Sequence, residues 1–145
     1  MAYCTQTDLQ KQLPPALVIQ LTDDDADGAA DSGVVADAIA KADNVINAYC
    51  AKRYDVPFTT VPDLIRGLSV DLTVWNLYAR KGLEKQSVTD RKVDAIKLLE
   101  GIASGKVSLG LTENAPVESQ AGAPEVTVDV DTDNREITKD TLKNY

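Results

Sequence analysis

Hydrophobic positions along the chain recur at three and four residues over most of its length, the period of amphipathic helices. The first element is short. Thr5 followed by Asp8 resembles a capping box, which predicts a helix running to about Leu13. Pro14-Pro15 ends it, and Pro15, suited to a first helical turn, opens a second short helix with Leu17, Val18 and Leu21 on its apolar side. Residues 22–33 form a loop of aspartate, glycine and alanine. From Val34 the period is clear: Val35, Ala38, Ile39, Ala42, Val45, Ile46, Tyr49 and Cys50 share a face, with Asp37, Lys41, Asp43, Asn44 and Asn47 between them. That predicts a helix ending near Arg53-Tyr54. Two prolines make residues 55–62 a loop, with Val56 and Val61 extended. Pro62 begins a helix faced by Leu64, Ile65, Leu68, Leu72, Trp75 and Ala79, which Gly82 terminates. Ser87 caps a fifth helix with Val88, Val93, Ile96, Leu99 and Ala103 inward, ended by Gly101 or Gly105. The expectation is an all-α domain over residues 1–111: a small bundle of two short N-terminal helices and three long amphipathic ones.

Beyond Leu111 the texture changes, and residues 112–145 read as a flexible acidic arm. Its first half is rich in small and polar residues and proline. Val126, Val128 and Val130 then alternate with polar residues, and Asp133-Asn134 offers a turn into Arg135–Thr138, a possible β-hairpin. A lone hairpin is marginal in water. The arm is therefore either disordered in the isolated chain or ordered by pairing with a neighbour's sheet edge.

Composition narrows the function. At 145 residues, 43% hydrophobic and 26% charged, the chain is one domain long with a real core, and its 5% aromatic content makes that core aliphatic. Histidine is absent. This excludes Ser-His-Asp and Cys-His catalysis and His-ligated zinc. No apolar run approaches the roughly 18–20 residues of a membrane helix, so no membrane partner is expected, and the N-terminus does not read as a signal peptide. The net charge of −8 is unevenly spread: −6 over residues 1–37, +3 over 38–111 and −5 over 112–145. An acidic chain is a poor general DNA binder, whereas opposite-sign blocks suit contacts between copies. Cys4 and Cys50, far apart and outside any CxxC motif, read as free thiols.

The sharpest local motif is the run from Asp23 to Asp31, in which Asp23, Asp25, Asp27, Gly28 and Asp31 match the first nine positions of a D-x-D-x-D-G calcium loop. Alternate aspartates can converge on one cation, and calcium is the candidate ligand. The twelfth position, a bidentate Glu in a complete loop, is Val34 here. The competing reading has Asp31 or Ser32 capping the third helix while the other acids solvate a turn. The stretch from Gly101 to Ser108 has the wrong spacing for a phosphate loop and reads as a helix end. Asp71 is expected either to pair with Arg66, Arg80 or a base on the fifth helix, or to lie in solvent. Lys52-Arg53 and Arg80-Lys81 sit at helix C-termini, favourable for cations, where they could also meet the acidic blocks of another subunit. None of these makes a catalytic set, so no enzyme is expected.

Taken in order, five stretches resemble the Gp36 family of Mu-like phages and prophages: Met1 to Leu9, Ile19 to Asp31, Ile46 to Tyr54 (I-N-A-Y-C-A-K-R-Y), Val61 to Arg66 (V-P-D-L-I-R) and Gly105 to Leu111 (G-K-V-S-L-G-L). The resemblance covers residues 1–111, with Cys4 and Cys50 standing where small residues are expected. It implies a structural virion protein of a tailed phage, made in the bacterial cytoplasm and placed in the neck. Such a head–tail connector, an adaptor or head-completion subunit, docks beneath the portal as a homo-oligomeric ring of about a dozen copies and meets a tail-side neck or terminator protein below. DNA passes through the ring without sequence-specific binding. A tail-side adaptor, or a small calcium-binding interaction module, is the alternative.

Overall fold

The computed structural model describes residues 1–83 and 85–114. They form five helices, α1 (Gln6–Gln12), α2 (Pro15–Thr22), α3 (Ser32–Cys50), α4 (Asp63–Arg80) and α5 (Gln86–Ser104), with no strand among the described residues. The fold is all-α. The hairpin expected over residues 126–138, and all of the arm beyond Asn114, lie outside the described residues.

Local chemistry accounts for several of the helix ends. Thr5 and Asp8 form a complete capping box on α1. Pro15 occupies the first turn of α2. Gly82 and Gly105 take positive φ angles of 65° and 81° where α4 and α5 end, a conformation glycine adopts without a Cβ penalty. Gly101, the other candidate stop, lies within α5. Ser87 does not cap α5: the N-cap is Lys85, with no side-chain cap bond, and the Gln86 amide donates to Asp90 Oδ1 across the first turn at 2.8 Å.

Two packed clusters build the core. The first joins α1 and α2 to the early part of α3 (Val35, Ala38, Ile39), the late part of α4 (Val70, Val74, Leu77, Tyr78) and Val88 at the start of α5. The second joins the late part of α3 (Ala42, Ile46, Cys50) to the early part of α4 (Ile65, Leu68) and the late part of α5 (Ala95, Leu99, Ile102). Shared ends fix direction: α4 runs antiparallel to α3, and α5 parallel to it. Ile46, Ile65, Leu77, Leu99 and Ile102 are completely buried, each stabilising the fold by about 1.5–3 kcal/mol.

The periodicity overstates the inward face at three positions. Leu64, Val45 and Val93 are 39%, 37% and 44% exposed. Val45 and Val93 lie at the outer margin of their helices, where the helix period alone does not set how far the neighbouring helix covers the stripe.

Residues outside the helices complete both clusters, Cys4 in the first and Tyr3, Tyr54 and Phe58 in the second. The N-terminal Tyr3 and Cys4 are each 2% exposed. Phe58, from the proline-rich loop, packs its ring 5.6 Å from Tyr3 and 6.3 Å from Tyr54.

Candidate functional site

The aspartate loop joins α2 to α3. Asp23, Asp25 and Asp27 each bring a carboxylate oxygen within 4.8 Å of the others. Asp31 stands outside this group, and its Oδ2 accepts the Asp24 N–H at 3.1 Å. It occupies the N-cap position of α3 without making a side-chain cap bond. Asp31 therefore orders the loop rather than the helix start.

The loop is held by its own carboxylates. Gly28 N–H donates to Asp23 Oδ2 at 3.1 Å, Asp27 N–H to Asp25 Oδ1 at 3.3 Å, and Ala29 N–H to Asp27 Oδ1 at 2.8 Å. Ala26 and Gly28 take positive φ angles of 61° and 79° to make the turn. Asp23 Oδ1 is buried without a hydrogen-bond partner. Calcium takes about six to eight oxygens. The three gathered carboxylates supply part of that shell, and Val34 adds none.

Asp24 points the other way, to the end of α4. It pairs with Arg80 and, at 2.7 Å, with Lys81, while Lys81 also donates to the Asp23 carbonyl at 3.3 Å. Two of the bases considered for contacts with another subunit are thus engaged by this chain's own acidic loop. Arg53 is engaged as well. It pairs with Glu113, whose Oε1 accepts the Tyr54 hydroxyl at 3.1 Å. Asn114 N–H donates to the Arg53 carbonyl at 2.7 Å, and Leu109 N–H to the Tyr54 hydroxyl at 3.1 Å. The Arg53 hydrogen bond holds the Glu113 carboxyl below its ordinary range. Through these contacts the chain leaving α5 is fastened to the end of α3. Asp71 pairs with Arg91 of α5 and is partly buried; Arg91 also donates to Gln12 on α1.

A buried polar cluster under the N-terminus has no counterpart in the helical pattern, which assigns Asp43 to the solvent side. Asp43 is 7% exposed. Its Oδ2 accepts the Tyr3 N–H at 3.0 Å and its Oδ1 the Ser69 hydroxyl at 2.7 Å. Cys4 Sγ lies 3.2 Å from Ser69 Oγ and 3.8 Å from Thr73 Oγ1. The Ser69 proton belongs to the carboxylate, the stronger acceptor, which leaves the thiol to donate. The Tyr3 hydroxyl donates to Asn47 and accepts the Phe58 N–H at 3.1 Å. Four chain segments are thereby tied together. The clue in the sequence was weak: three hydrogen-bonding residues, Asp43, Ser69 and Thr73, fall on or beside the apolar stripes of α3 and α4.

Both cysteines are free and buried. Burial raises the Cys4 thiol and pushes Cys50 up to about 11. At neutral pH both stay protonated and are poor nucleophiles.

The chain is similar to known phage proteins. The family model described as "Bacteriophage Mu, Gp36" matches residues 3–128, past Leu111 where the motif-by-motif resemblance stops. The Mu-like prophage FluMu protein gp36 of Haemophilus influenzae is 36% identical over 98 residues, covering 64% of this chain and 65% of that protein. Gene product J of Escherichia phage Mu is 30% identical over 106 residues, covering 73% of each. The chain thus spans just under two thirds of the Haemophilus relative. No helix among the described residues is long and apolar enough to cross a membrane. Matched by the family model over most of its length, and with five helices among its described residues, the chain belongs to the phage Mu Gp36 family.

Proposed function

We propose that this chain is a structural, non-enzymatic protein of a tailed-phage virion. In this reading it is a head–tail connector subunit, an adaptor or head-completion protein that forms a ring of about a dozen copies beneath the portal. The ring joins the DNA-filled capsid to a tail-side neck protein, and the subunit is made in the bacterial cytoplasm before assembly. The observation that carries the proposal is membership of the Mu Gp36 family by a chain of this build. Supporting it, both thiols are held protonated, and the net charge of −8 disfavours adhesion to passing DNA. A closed ring needs two different surfaces that meet between copies. Lys52, set against exposed Asp25, Asp27 and Asp37, is a candidate pairing for them, since Arg80, Lys81 and Arg53 are engaged internally.

A phage lacking this gene is expected to accumulate packaged heads and separate tails. Intact, infectious particles without the protein would refute the neck assignment. The convergence of Asp23, Asp25 and Asp27 favours a second, compatible reading: a weak divalent-cation site that steadies the loop. Its test is a calcium titration followed by thermal melting. A saturating rise that Asp25→Ala abolishes supports it, and an unchanged melt removes it.

A further inference from the structure

Where α3, α4 and α5 meet lies an open groove of about 580 Å³, whose lining includes Tyr49 of α3, Trp75 of α4, and Lys92, Val93, Ile96 and Lys97 of α5. Its walls are largely apolar, and at its rim two lysines, Lys92 and Lys97, stand against one acid, Glu100, with Lys97 also 3.5 Å from Asp94. Val93 is 44% exposed, and Lys92 Nζ stands 3.3 Å from the centre of the Trp75 ring. Within the described residues nothing fills this groove.

The same chain carries a segment of complementary chemistry. In Glu125–Asp133, Val126, Val128 and Val130 alternate with Thr127, Asp129 and Asp131. An extended backbone would put the valines on one face and the aspartates on the other. No lysine or arginine occurs from residue 107 to 134.

The exit point suits this occupant. Glu113 and Asn114 line a cleft with Lys52, Arg53 and Ser104, at the C-terminal ends of α3 and α5. Glu100, at the near end of the groove, lies one helical turn, about 5 Å, before Ser104, and Tyr49 lies in the last turn of α3, four residues before Arg53. From Ser104 back to Val93 is about 16 Å along the helix. The linking residues 115–125 reach up to about 36 Å when extended, enough to place Val126 in the groove with slack.

We propose that the acidic, valine-alternating segment 126–130 of this chain docks in its own α3–α5 groove, its valines against Trp75 and Val93 and its aspartates against Lys92 and Lys97. The segment then covers an apolar face that would otherwise stand open before assembly. This goes beyond the connector reading and does not depend on it.

Trp75 is the chain's single tryptophan and reports directly on the groove. In the full chain, acrylamide quenching of its fluorescence is compared with that of the triple variant Val126→Ser, Val128→Ser, Val130→Ser. All three changes fall outside α1–α5, and circular dichroism checks that the helices persist. Docking predicts a rise in the quenching constant of about twofold as the ring loses its cover, approached by the parent chain as salt screens the aspartate–lysine pairs. An unchanged constant overturns the proposal. A second variant pair, Val93→Cys with Val128→Cys, fixes which copy supplies the segment. A disulfide within monomers is expected. Disulfide-linked dimers would hand the groove to a neighbouring copy and overturn docking within one chain, and failure to oxidise would refute contact.

Discussion

Asp43→Ala tests the buried lock beneath the N-terminus. The substitution removes the acceptor of two hydrogen bonds, the Tyr3 N–H at 3.0 Å and the Ser69 hydroxyl at 2.7 Å. The Tyr3 amide is left buried without a partner, and so is the hydroxyl unless it turns to Cys4. Orphaning a buried donor costs about 1–3 kcal/mol, and hydrogen bonds to a charged group lie at the upper end. The loss should be about 3–4 kcal/mol, a large share of the roughly 5–15 kcal/mol that holds a domain of this size. At about 4 °C per kcal/mol, the melting temperature falls by about 12–16 °C. Asp43→Asn should fall between, because the amide keeps one acceptor oxygen but turns its NH2 group toward the second donor. Asp37→Ala, exposed on the same helix, is the control and should stay within about 0.5 kcal/mol. Denaturant and thermal melts read all three. If Asp43→Ala melts like Asp37→Ala, the N-terminal segment is not locked as described.

Ile46→Asp places an unpaired charge at a completely buried position and should leave the helices unfolded, whereas a retained helical spectrum and melting temperature would move Ile46 out of the core. Gly105→Ala should lose about 1–2 kcal/mol, because φ is 81° and the added Cβ would overlap the Arg53 guanidinium, displacing the arginine from Glu113; a neutral result in urea melts would contradict the close approach. Thr5→Ala should cost about 1 kcal/mol at neutral pH by uncapping α1. The Lys11 and Thr5 hydrogen bonds hold Asp8 at about 2, below its ordinary 3.8. Its contribution is therefore complete above 3.8 and lost as pH falls through about 2. The gap between parent and Thr5→Ala should close over that window, and a gap constant with pH would separate Asp8 from the cap.

The three long helices were legible because each buries one stripe against its neighbours, and a stripe leaves a period in the sequence. The ends of α1 and α2 were legible because Thr5, Asp8 and Pro15 act locally. The start of α5 was not, since Ser87 has the chemistry of a cap but lies one position inside the first turn. Asp43 was misassigned because periodicity equates polar with exposed. Its burial depends on donors 40 residues before it and 26 after it, which no local window contains. Tyr3 and Phe58 went unread as core for the same reason, since each lies outside the helices and is buried only by tertiary packing. The acidic loop was found by its spacing, but Asp31, the ninth position of the motif, binds the Asp24 backbone and stands apart from the other three.

The most direct test of the connector proposal is the mass of the full chain, alone and mixed with purified portal rings of its phage, by light scattering after size exclusion. A connector subunit should elute alone as a monomer or weak oligomer and, with portal, should shift to one discrete complex of fixed stoichiometry. Two unshifted peaks at all mixing ratios would contradict direct portal docking.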